Sequence, residues 1–88
     1  MIVKRHLPPL NALRVFEVAA KAESFSKAAE TLCVTQSAVS KQIRLLEKNL
    51  GTILFERVGG IVIPTSEGRQ YLTFISKALD TIEVGTEQ

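Results

Sequence analysis

The chain has 88 residues, 45% of them hydrophobic and 23% charged, with a formal net charge of +2. That length fits one small domain with a modest buried fraction, so a partner subunit would help it, and a pI near 8.9 permits nucleic-acid binding without demanding it. Met1 to His6 lacks the apolar run of a secretory signal and no segment approaches the ~20 apolar residues that span a bilayer, so a cytoplasmic protein without membrane association is expected.

In chain order, the first helix is expected just after Pro8-Pro9, since proline is favoured at helix starts. Leu10, Leu13, Phe16 and Ala20 would form its buried stripe. Ser26 is a candidate cap for a second, short helix that turns Ala28, Ala29 and Leu32 inward and Lys27 and Glu30 outward. Small Ala29 would let that helix cross its neighbour closely. Cys33 follows in the turn; a lone thiol at the end of an apolar helix reads as a small buried hydrophobe, at a position where glycine would be less strained.

The next helix, 36–50, carries the functional argument. Val39, Ile43, Leu46 and Leu50 recur at spacings of four, three and four, one stripe of a 3.6-residue period. Ser37, Ser40, Lys41 and Arg44 lie on another stripe, with Gln36 beside them in the first turn. Glutamine offers adenine a paired donor and acceptor, serine pairs with several bases, and lysine reaches guanine O6 and N7. No acid lies between Glu30 and Glu47, so this surface would not repel phosphates. Thr35 is placed to cap the helix and Gly51 to end it in the left-handed conformation. Two helices joined by a short turn, the second apolar on one face and base-reading on the other, define a helix-turn-helix expected to enter the major groove of duplex DNA. The alternative is a polar face that is merely solvated.

Beyond Gly51, Ile53 to Arg57 and Ile61 to Ile63 are β-prone runs around Val58-Gly59-Gly60, which predicts a hairpin; turn chemistry alone equally allows a loop. Thr65 or Ser66 would cap a last helix beginning near Glu67. On it Leu72, Ile75, Leu79 and Ile82 recur at three, four and three, broadened by Tyr71, Phe74 and Ala78. That apolar surface needs covering, either by its own domain or by a second copy.

Reading outward from the helix pair, Leu10-Asn11-Ala12-Leu13-Arg14-Val15-Phe16, Glu47 with Leu50-Gly51, Leu54-Phe55-Glu56-Arg57 and Pro64-Thr65-Ser66-Glu67-Gly68 follow in order. Together they resemble the N-terminal DNA-binding domain of LysR-type transcriptional regulators, from about Leu10 through the helix after Thr65. The resemblance implies a mainly α, winged helix-turn-helix over residues 1–64, with a short β-hairpin wing, and a linker helix over 65–88 that dimerises. It implies that Gln36, Ser37, Ser40 and Lys41 approach bases and that Ser24, Thr35 and Arg44 approach phosphates. Arg57 is left to serve phosphates from the wing, where Gly59-Gly60 stands in place of the family's usual basic residue. Glu23 also departs from the family, which commonly has a small residue before the Ser-Phe pair. Leu72, Ile75, Leu79 and Ile82 would form the dimer interface, and the DNA partner would be an inverted-repeat operator. A small-molecule effector would act only through a C-terminal domain, of which this chain holds nothing.

A different class of function is the alternative: a winged-helix module that assembles with protein and lacks specific DNA binding, slightly favoured by Glu23 and the uncharged wing. His6 has no Cys, Asp or second His nearby, so no metal site is expected. No phosphate-binding loop or nucleophile and base pair is present, so neither catalytic residues nor a cofactor is expected.

Overall fold

Pro9, with φ −58°, leads into α1 (Leu10–Ala22), the first of four helices in the computed structural model, which describes residues 6–59 and 61–88. Expectations that rest on Met1 to Arg5 or on Gly60 lie outside the described residues. The buried face of α1 is Ala12, Val15, Phe16, Ala19 and Ala20, with Leu13 half-buried. Leu10, expected on that stripe, is instead 52% exposed. Large apolar residues suggested a stripe tilted toward Leu10, whereas the alanines, too small to dominate a hydropathy pattern, mark where the neighbouring helices come closest.

Helix α2 (Phe25–Leu32) is capped by Ser24, whose Oγ accepts the Lys27 N–H at 3.0 Å. Ser26, the expected cap, lies inside the first turn. Ser24 has the extended backbone that a cap requires, φ −163° and ψ 123°, because α1 ends at Ala22 and the chain turns away through left-handed Glu23. Ala28 and Ala29 are buried as expected. At the far end Cys33 takes the left-handed conformation, φ 56°. Its N–H bonds the Glu30 carbonyl at 3.2 Å and that of Val34 bonds the Ala29 carbonyl at 3.0 Å, the paired closure that normally employs glycine. The side chain of Cys33 is exposed, contrary to the packing role expected of it, because a left-handed residue at a helix end projects away from the helix axis and toward solvent.

Helix α3 (Gln36–Leu50) begins with Thr35 Oγ1 accepting the Ala38 N–H at 3.1 Å and ends at Gly51, φ 68°. Val39, Ile43 and Leu46 are buried and Leu50 half-buried. Strands β1 (Phe55–Val58) and β2 (Ile61–Pro64) then pair antiparallel, with Val58 opposite Ile61 and Phe55 opposite Pro64. The first strand starts two residues later than the sequence suggests, since Ile53 is exposed and Leu54 turns into the core. Val58, expected in the turn, completes the ladder. Phe55 stacks edge-on against Phe16 at 5.7 Å and Phe25 at 5.3 Å between ring centroids, fastening the hairpin to α1 and α2.

Helix α4 (Ser66–Glu87) is capped by Thr65, whose Oγ1 accepts the Gly68 N–H at 3.0 Å and donates to the Ile53 carbonyl at 2.8 Å. The domain itself covers one face of its apolar surface and leaves another open. Ile75 is only 7% exposed, and Tyr71, Leu72 and Leu79 pack against the same core. Phe74, at 73% exposure, and Ile82 and Val84 remain open, and every residue from Asp80 onward is exposed. Ser76 donates to Glu17 Oε2 at 2.9 Å, which ties α4 to α1 beside the Lys21–Glu17 ion pair. No helix among the described residues is long and apolar enough to cross a membrane.

Candidate nucleic-acid interface

Burying Val39, Ile43 and Leu46 fixes the rotation of α3 and so decides what its other face presents. Gln36, Ser37, Lys41 and Arg44 are exposed and Ser40 is half-buried. Gln36, Ser37, Ser40 and Arg44 line one shallow, open cleft along the helix. Lys41 stands one turn beyond Ser37 on the same side.

The flanking residues assemble around this strip. Ser24, Gln36 and Arg57 share a second cleft, which brings the start of α2, the start of α3 and the hairpin to one place. Arg44 and Arg57 share a third, between α3 and the hairpin. The fold therefore gathers residues separated by as much as the span from Ser24 to Arg57 into one polar surface.

Two of the hydroxyls expected at phosphates are already held as hydrogen-bond acceptors. Ser24 Oγ and Thr35 Oγ1 each accept a backbone N–H as a helix cap. A hydroxyl that accepts there still has its own proton to donate, and an anionic oxygen is a suitable acceptor. The amides of the first turn of α3 also point outward at this end, with the positive end of the helix dipole behind them. Lys41 and Arg44 add full charges further along.

Two contributors escaped the sequence reading. Glu47, the first acid on α3, lies in its C-terminal part, where the dipole disfavours a negative charge. Its carboxylate is committed elsewhere: Oε2 accepts the N–H groups of Leu54 at 2.9 Å and Phe55 at 3.3 Å. The misplaced charge was the available signal. Gly68 is the second, because a Cβ there would collide with the Leu54 carbonyl oxygen, so only glycine lets α4 pass this close to the segment before β1.

Glu23 also borders the second cleft and has φ 51°, the left-handed conformation. Of the four residues expected at a dimer interface, Ile75 is occupied by the core of its own chain and Leu72 and Leu79 are half-buried against it. Only Ile82 is fully on the open side, next to Phe74 and Ala78. Leu72, Ile75 and Leu79 of the three-four-three stripe are the inward face of α4, because α1 lies along it. Among the described residues no group of three or more His, Cys, Asp or Glu side chains could hold a metal ion.

A short-turn helix pair followed by an antiparallel hairpin that flanks the second helix defines a winged helix-turn-helix. Residues 10–69 match the family model described as the bacterial regulatory helix-turn-helix protein, lysR family, and the chain belongs to that family. It is 47% identical over 88 residues to the glycine cleavage system transcriptional activator homolog of Haemophilus influenzae, covering 100% of this chain and 29% of that protein. It is 53% identical over 74 residues to the HTH-type transcriptional activator AmpR of Rhodobacter capsulatus, covering 84% of this chain and 26% of that protein. The chain thus spans less than a third of the length of these relatives. Among solved structures it is similar to the BenM DNA-binding domain in complex with catB site 1 DNA, with a TM-score of 0.85 and 35% identity over 90% of this chain and 88% of that one.

Proposed function

We propose that this chain binds double-stranded DNA sequence-specifically, as the DNA-binding part of a LysR-type transcriptional regulator. The observation that carries the reading is the polar cleft of α3, where Gln36, Ser37, Ser40 and Arg44 are presented together while Val39, Ile43 and Leu46 hold the helix down. Placed in a major groove, Gln36, Ser37, Ser40 and Lys41 meet base edges, and Ser24, Thr35, Arg44 and Arg57 meet the phosphates on either side. The similarity to a DNA-bound domain supports this placement.

The active unit is a homodimer paired through α4, with Phe74, Ala78 and Ile82 at its centre instead of the inward stripe. Its two-fold symmetry matches an inverted repeat whose half-sites lie about one helical turn, or a multiple of it, apart. The chain works in the cytoplasm without catalysis, and a small-molecule effector acts through a domain outside it. Residues 1–64 form the reading unit and 65–88 the linker.

Affinity for an operator duplex measured against salt tests this reading. A dimer that offers Arg44 and Arg57 twice neutralises roughly four phosphates, so log K should fall with log salt at a slope on the order of −3 to −4. A flat dependence would favour the rival, a module that assembles with protein.

A further inference from the structure

The end of α1 carries a feature that neither packing nor base reading requires. Glu23 is an exposed acid in the left-handed conformation, φ 51°, where a side chain is unfavourable relative to glycine. It borders the cleft that also holds Ser24, Gln36 and Arg57. Among the described residues its carboxylate has no hydrogen-bond or ion-pair partner, so the fold gains no contact for the strain and the charge. The neighbouring Ser24, whose Oγ accepts the Lys27 N–H as a cap and keeps its own proton free to donate, lines the same cleft.

Resting on the DNA-binding reading above, we propose that Glu23 is an affinity-limiting residue: its carboxylate repels the phosphate held by Ser24 and Arg57 and keeps binding to all DNA weaker than the rest of the interface would allow. A carboxylate and a phosphate separated by a few ångströms of solvent repel appreciably, and salt screens that repulsion within ~8 to 10 Å. The repulsion acts on every sequence alike, because the phosphate carries no base information. Weak non-specific binding then leaves the contacts of Gln36, Ser37 and Ser40 to decide occupancy.

Glu23→Gln tests this, since it removes the charge while keeping the size and the left-handed strain. Affinities of the 88-residue chain and of the variant for an operator duplex and a scrambled duplex would be measured over a range of salt. The variant should bind both duplexes on the order of three- to tenfold more tightly at low salt, with the gain fading as salt rises. Unchanged affinity on both duplexes overturns the proposal. So does weakening confined to the operator, which would make the carboxylate an acceptor from a base such as cytosine. Glu23→Gly separates the backbone from the charge: it should raise the melting temperature, which Glu23→Gln should not. If the parent chain itself shows no salt-dependent DNA binding, the DNA-binding reading fails first; if the parent binds and only Glu23→Gln is silent, this proposal alone fails.

Discussion

Glu47 and Leu54 join the reading helix to the wing: the carboxylate of one accepts the backbone N–H of the other at 2.9 Å, and that of Phe55 at 3.3 Å. Both amides sit just ahead of or at the start of β1, where no strand partner serves them. The same carboxylate thus spares two N–H groups from burial without a partner and sets how the hairpin stands against α3.

Glu47→Ala should destabilise the fold by about 2 kcal/mol, and Glu47→Gln by roughly half of that, because an amide oxygen still accepts but without a charge. Urea unfolding monitored by circular dichroism gives both values. Equal stability of the three proteins would mean that the hairpin is held by Phe55 alone.

Gly68→Ala sets two effects against each other. Alanine favours a helix by about 1 kcal/mol over glycine. The added Cβ, however, meets the Leu54 carbonyl oxygen, and such overpacking costs about 1 to 3 kcal/mol. The collision is with backbone and cannot be relieved by a rotamer change, so a net loss is expected. A higher urea midpoint for the variant would contradict the close crossing of α4 and the loop before β1.

Tyr71 packs against Phe16 at 5.5 Å between ring centroids, and burial raises its phenol above the ordinary value. The folded state therefore keeps its proton to higher pH than the unfolded chain does. Its stabilising contribution is complete below the unfolded value and is lost as pH rises through the folded one. Melting temperature should decline once pH passes about 10, and Tyr71→Phe should lessen that decline. Identical profiles for the two proteins would remove Tyr71 as the cause.

Phe74 is 73% exposed at the middle of the open face of α4. Phe74→Glu should convert a dimer into a monomer while leaving the melting of the isolated domain nearly unchanged, since no core contact is lost. Sedimentation equilibrium would return the 9.7 kDa of one chain for the variant and about twice that for the parent. A monomeric parent, or a variant that stays dimeric, would move the pairing surface elsewhere.

Where several local signals agreed, the sequence was legible. Thr35, the Val39, Ile43 and Leu46 stripe, and Gly51 all specified α3, and the helix runs between those marks. The start of α2 was harder, because Ser24 and Ser26 are equally good caps in isolation and only the left-handed stop at Glu23 selects Ser24. On α4 a periodic pattern identified a buried face but not its partner: α1 covers Ile75, whereas Phe74 is left open. Contacts such as Glu47 with Leu54, or Gly68 with the Leu54 carbonyl, depend on how distant backbone segments meet and have no local pattern. The candidate interface was visible as residue types on α3, while its union with Ser24 and Arg57 emerges only after folding.

The most direct measurement compares Gln36→Ala and Arg44→Ala on operator and scrambled duplexes at fixed salt. If α3 reads bases through Gln36 and holds phosphates through Arg44, Gln36→Ala should lose about 1 to 3 kcal/mol on the operator alone, with relaxed preference at one base pair. Arg44→Ala should weaken binding to both duplexes by the same factor. Equal losses for both variants on both duplexes would contradict the account.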